Sequence, residues 1–113
     1  EVMAVFADAE TAVAAARRML AAVRALLADV GLDAGVGVHD GQVVEGVLGG
    51  EGAKAYDFIG DTVNTAQRLC DAAAPGEVLV SEAVTEAAGL QPSRYREIVA
   101  KGKRAPLRAA VYD

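Results

Sequence analysis

Apolar and polar positions change period several times along this chain. Val2-Met3-Ala4-Val5-Phe6 is a purely apolar run, the pattern of a short strand buried on both faces. Asp8 or Ala9 then opens a long stretch of helical period. Thr11, Ala15, Met19, Val23, Leu27 and Val30 lie near one face, and Leu20 and Leu26 broaden it. Arg17, Arg18, Arg24 and Asp29 mark the wetter side, alanine raises the intrinsic propensity, and Gly31 suits the position just past the helix end. Residues 33–39 and 42–48 read as two strands joined by Asp40-Gly41, because an Asp-Gly pair between apolar runs is a strong hairpin signal. Gly35 and Gly37 alternate with Val36 and Val38, which predicts the close approach of another element to one face of that strand. Gly49-Gly50-Glu51-Gly52 breaks the pattern.

Residues 56–68 read as a polar loop running into an amphipathic helix. Gly60 and Asp61 mark the turn, and Asp61 or Thr62 suits the N-cap. Behind it Val63, Ala66, Leu69, Cys70 and Ala73 recur at three- and four-residue steps, giving one apolar face. Pro75-Gly76 stops the helix, and residues 77–80 form a short buried strand. Ser81 caps a short helix over 82–88 that Gly89 ends. Residues 95–99 and 107–112 are strand-like, on either side of a basic turn, Lys101-Gly102-Lys103. The order β-α-β-β-α-β-α-β-β predicts an α+β (mixed α/β) fold with helices packed on a sheet.

Composition narrows the function classes. The chain has 113 residues, so it is one domain or part of one, and 53% apolar residues are enough for a core. A net charge of −5 with no basic stripe argues against a nucleic-acid binder. One cysteine, Cys70, rules out an internal disulfide framework and a multi-cysteine zinc site; its helical spacing makes it a small core residue. No run of about 18 apolar residues is present, so the sequence contains no membrane-spanning segment.

The candidate chemistry gathers at the central helix. Asn64 and Arg68 are four residues apart and leave the helix on one side, near its N-terminus. A neutral amide beside a fixed guanidinium suits an anion with developing charge. Asp57 lies in the preceding loop, where a carboxylate suits an exocyclic amine. His39 is the only histidine; with no nucleophile at a suitable spacing, it reads as a strand-end residue satisfied by the adjacent hairpin.

Tyr56-Asp57-Phe58-Ile59-Gly60-Asp61-Thr62-Val63-Asn64-Thr65-Ala66-Gln67-Arg68 resembles the loop and helix of the class III nucleotidyl cyclases. The similarity extends to Pro75-Gly76-Glu77-Val78-Leu79-Val80-Ser81, to Lys101-Gly102-Lys103, and upstream to residues 2–6 and 35–41. The resemblance implies a ferredoxin-like βαβ sandwich of the class III cyclase type. It also implies that residues 1–113 form a partial catalytic domain, without the family's first strand and following helices. The implied activity is that of a cytoplasmic adenylate cyclase, a head-to-tail homodimer that turns ATP into 3′,5′-cyclic AMP and pyrophosphate. Residue by residue, Arg68 would stabilise the pentavalent phosphorus and Asn64 would orient the ribose. Lys101 would hold the terminal phosphates, and Asp57 would accept from the adenine 6-amino group. The family's two-metal site, for Mg²⁺ or Mn²⁺, would take its aspartates from positions before Glu1; Asp8 and Glu10 lie past the strand and are not expected to be ligands. The alternative is a catalytically inactive cyclase-homology domain that dimerises or senses nucleotide.

Overall fold

The computed structural model describes residues 2–48, 55–59, 61–99 and 106–113. In chain order the elements are α1 (Ala9–Leu27), a 3₁₀ turn (Ala28–Val30), β1 (Val36–Val38), β2 (Val44–Leu48), β3 (Ala55–Ile59) and α2 (Asp61–Ala72). They continue with β4 (Val78–Ser81), α3 (Glu82–Ala87), β5 (Tyr95–Ile98) and β6 (Leu107–Tyr112). The main sheet has the order β1-β4-β6-β5. β1 runs parallel to β4, and β6 is antiparallel to both β4 and β5. β2 and β3 form a separate antiparallel ribbon. This is the mixed α+β architecture that the element order predicts.

Alternation along β4 divides the core in two. Val78 and Val80 point to one face, where Val13, Ala16 and Leu20 of α1 and Val84 of α3 cover them. Leu79 points to the other face, with Leu69 of α2, Ile98 of β5, and Ala109 and Val111 of β6. All four residues of β4 are buried, as expected of a strand with helices on both sides. Asp8 caps α1 by accepting from the Thr11 amide at 2.8 Å. Gly31, at φ 69°, closes the 3₁₀ turn that extends α1. α3 begins after Ser81, and Gly89 follows its end at φ 66°.

Four expectations need correction. Residues 2–6 form no strand: no strand among the described residues pairs with them, and Val2 is 89% exposed. An apolar run asks for burial, but a strand also needs a hydrogen-bonded neighbour. α1 buries Val13, Ala16 and Leu20, whereas Met19 and Leu26 are exposed. An alanine-rich helix is apolar on several sides, so the sheet it meets, not its period, selects the face.

The Asp40-Gly41 hairpin does not form, since β1 and β2 belong to different sheets. β1 takes a parallel partner, β4, some forty residues on, and β2 pairs instead with β3, Val44 opposite Ile59 and Leu48 opposite Ala55. A local turn signal carries no information about either partner. Finally, residues 55–59 are a strand rather than a loop, so Asp57 stands on β3 opposite Gly46. The alternation Tyr56-Asp57-Phe58-Ile59, rich in aromatic and β-branched residues, accounts for this.

Candidate active site on the α2 helix

α2 lies unusually close to the sheet. A Cβ on Gly37 would stand 2.4 Å from the Cys70 amide nitrogen and 2.7 Å from the Ala66 carbonyl oxygen. On Gly35 it would stand 2.9 Å from the Ala73 Cβ. The two glycines therefore let the helix backbone rest directly on β1, the close approach that their spacing predicts. Ala66, Leu69, Cys70 and Ala73, the apolar face read from the sequence, lie along this contact. Leu69 is fully buried, and the half-buried Cys70 thiol is 3.6 Å from the Gly35 carbonyl oxygen. At the other end, the Thr62 hydroxyl donates to the Gln42 carbonyl, tying the first turn of α2 to the segment that leaves β1.

This docking places Asn64 and Arg68 one above the other on α2. Asn64 is exposed and Arg68 half-buried. The Arg68 Nε is buried and has no hydrogen-bond partner among the described residues. A buried guanidinium N–H without an acceptor is costly, about 1–3 kcal/mol, so the position is one that an incoming anion would relieve. Arg68, Asp71 and Ala72 of α2 line a shallow groove with Ile98 and Val99 at the end of β5. Asp71 accepts from the Gln67 side chain at 3.3 Å.

Of the four residues singled out by sequence, the structure thus brings Asn64 and Arg68 together on one helix. Asp57 stands on β3, the strand that leads into α2. Lys101 follows Val99 by two residues and lies outside the described residues.

His39 is satisfied across the sheet rather than by an adjacent hairpin. Its Nδ1 is 2.7 Å from the Oγ of Ser81, at the end of β4. Burial pushes its pKa below the usual histidine range and the nearby Arg68 charge adds to that, while Asp40 and Asp61 oppose it. The Ser81 hydroxyl is therefore engaged with His39 and makes no side-chain cap bond to α3.

Sequence reasoning does not single out Glu77 or Arg96, yet they form the most completely bonded ion pair of the chain's described part. Arg96 Nη1 and Nη2 donate to Glu77 Oε1 and Oε2 at 2.8 and 2.9 Å. Arg96 Nη1 also donates to the Ala72 carbonyl at 3.2 Å, and Glu77 Oε1 accepts from the Ala74 amide at 2.8 Å. These bonds hold the Glu77 carboxyl below its ordinary range, the Arg96 guanidinium first and the Ala74 amide second. The available signal was a charged residue at the head of an apolar strand, which needs a partner when buried.

Among the described residues no three His, Cys, Asp or Glu side chains gather as a metal site would require. The described residues alone therefore do not form a divalent-ion site. No helix among them is long and apolar enough to cross a membrane.

Comparison with known proteins gives this geometry a family. Residues 3–108 match the adenylate and guanylate cyclase catalytic domain. An uncharacterized protein of Mycobacterium tuberculosis is 39% identical over 83 residues, which is 68% of this chain and 15% of that protein. The crystal structure of the guanylyl cyclase Cya2 superposes with a TM-score of 0.77 at 29% identity, over 91% of this chain and 56% of that one. The adenylyl cyclase CyaB from P. aeruginosa superposes at 0.63 and 26% identity, over 86% of this chain and 53% of that one. The chain thus spans 15% of the mycobacterial relative and about half of each solved structure.

Proposed function

Since the chain belongs to the family of adenylate and guanylate cyclase catalytic domains, we propose that it acts in a head-to-tail homodimer that forms 3′,5′-cyclic AMP and pyrophosphate from ATP. The observation that carries this reading is the unpartnered, buried Arg68 Nε on the helix side that also presents Asn64. Cyclisation is an in-line displacement in which the ribose 3′-oxygen attacks the α-phosphorus and pyrophosphate leaves. Such phosphoryl transfer depends on positioning and on stabilising charge at the equatorial oxygens. Arg68 has the fixed charge and free donor for that task, and Asn64, one turn earlier, has the neutral donor that would orient the ribose. Lys101 is assigned to the terminal phosphates as a point charge.

Asp57 is the basis for choosing adenine. An ionised carboxylate accepts hydrogen bonds and donates none, so it suits the 6-amino group of adenine and repels the O6 of guanine. The family comprises adenylate and guanylate cyclases alike, so this choice rests on the chemistry of Asp57 alone.

The test uses the natural protein bearing this sequence, with ATP or GTP in the presence of Mg²⁺ or Mn²⁺ and the cyclic product separated by chromatography. Cyclic AMP from ATP is expected, with little cyclic GMP from GTP. Arg68→Ala is expected to lower kcat by about 10³-fold with KM nearly unchanged, as for loss of a group that acts in the transition state. A preference for GTP would overturn the role of Asp57, and unaltered turnover in Arg68→Ala the role of Arg68. No product from either nucleotide would overturn the enzymatic reading as a whole.

A further inference from the structure

The ion pair between Glu77 and Arg96 is bonded to more than itself. α2 ends at Ala72, whose carbonyl, like the last carbonyls of any helix, has no intrahelical donor; the Ala73 amide still bonds back to the Leu69 carbonyl. Arg96, from β5, donates to the Ala72 carbonyl, and Glu77, just before β4, accepts from the Ala74 amide. A cation is thereby placed at the C-terminal end of the helix dipole, where it is favoured. The two partners grip each other through two parallel bonds of 2.8 and 2.9 Å. This fork fixes direction as well as distance.

Ala72 stands one turn beyond Arg68 on the same side of α2, and both line the groove floored by Ile98, two residues along β5 from Arg96. The pair therefore ties the end of the Arg68-bearing helix to β5 and to the segment that enters β4. A group acting on a transition state must be held to a fraction of an ångström, and a displacement of about 1 Å costs about 10²-fold in rate.

We propose that Glu77 and Arg96 are positioning residues that set the placement of Arg68 by clamping the end of α2. This rests on the reading of Arg68 given above. The clamp touches no nucleotide; its effect passes through the helix.

The test is a cycle in the natural protein with Arg96→Met, Arg96→Lys, Arg68→Ala and the double variant Arg68→Ala/Arg96→Met. Arg96→Met is expected to lower kcat by about 10- to 100-fold with KM within about twofold, because Arg68 acts in the transition state. Arg96→Lys, which keeps the charge but not the fork, recovers part of the loss. In the Arg68→Ala background Arg96→Met has no further effect, since the group it positions is gone. Equal fractional losses in both backgrounds, or a raised KM with unchanged kcat, overturn the proposal.

Hydrogen exchange supplies a readout independent of turnover. The Ala73 and Ala74 amides are expected to exchange at least about tenfold faster in Arg96→Met, while those of Leu79 and Val111 in the core report an intact fold. Unchanged exchange at Ala73 and Ala74 also overturns it. If Arg68→Ala turns over normally, the catalytic role of Arg68 fails and this proposal with it; if Arg68→Ala is impaired but the cycle is additive, only the clamp fails.

Discussion

His39 and Glu77 release protons more readily in the folded chain than in water, for different reasons. Burial disfavours the imidazolium of His39, whereas Arg96 and the Ala74 amide favour the carboxylate of Glu77. The sign is nevertheless the same. A native pKa below the unfolded one means that the unfolded chain binds more protons in the interval between them, so stability falls on acidification. The Glu77 contribution is complete above about pH 4.3 and is lost as pH falls through its depressed native value. That of His39 is complete above about pH 6.5 and is lost as pH falls below it. Thermal melts are expected to be flat above neutrality and to decline in two stages toward acid. Glu77→Gln should lower the melting temperature at neutral pH and diminish the more acidic stage, to which Asp8, held low by the Thr11 amide, also contributes; an acid limb identical to that of the unmodified protein would show that Glu77 does not contribute to it. At this scale the sequence is informative about residue types and silent about partners. Asn64 and Arg68 share a helix side by spacing alone, but Ser81 is 42 residues from His39 and Arg96 is 19 from Glu77.

The contact between α2 and β1 is the element on which the candidate site depends. Because the Cys70 amide and the Ala66 carbonyl oxygen are backbone atoms, they cannot swing aside for a side chain at position 37. Gly37→Val is expected to push α2 from the sheet and destabilise the fold by about 3 kcal/mol or more. Urea unfolding measures this, and a midpoint unchanged from that of the unmodified protein would refute the close docking. This contact was legible because alternating glycines in an apolar strand have few other uses. The face of α1 was not, because its alanines and leucines surround the helix and the choice of Val13, Ala16 and Leu20 is made by Val38, Val78 and Val80 opposite. The Asp40-Gly41 signal misled for a related reason. It describes how a chain can turn, while the pairing of β1 with β4 reflects the burial of Val36 and Val38 beneath α1.

Taken whole, the molecule exposes apolar side chains at Val2, Met3, Val5 and Phe6 and again at Leu26, Val30 and Leu32. Exposed apolar surface of this kind suits coverage by another chain. For the proposed homodimer, cyclase activity per chain is expected to rise with protein concentration and then level off, in step with the dimer fraction measured by sedimentation. Activity per chain that stays constant down to concentrations where only monomer sediments would overturn the dimer.

The strand order has a consequence for how the chain is made. β6, Leu107–Tyr112, is the last described strand in sequence, yet it lies inside the sheet between β4 and β5. A ribosome releases it after every other described element has emerged. Until then β5 has no partner at all, and β4 has only β1 on one side. Helices α1 and α2 can form locally as they appear, but the surface they pack against is completed only at the end. Until β6 appears, the half of the core around Leu69, Leu79 and Ile98 lacks Ala109 and Val111, which makes that interval, rather than the finished fold, the stage most exposed to aggregation and to chaperones.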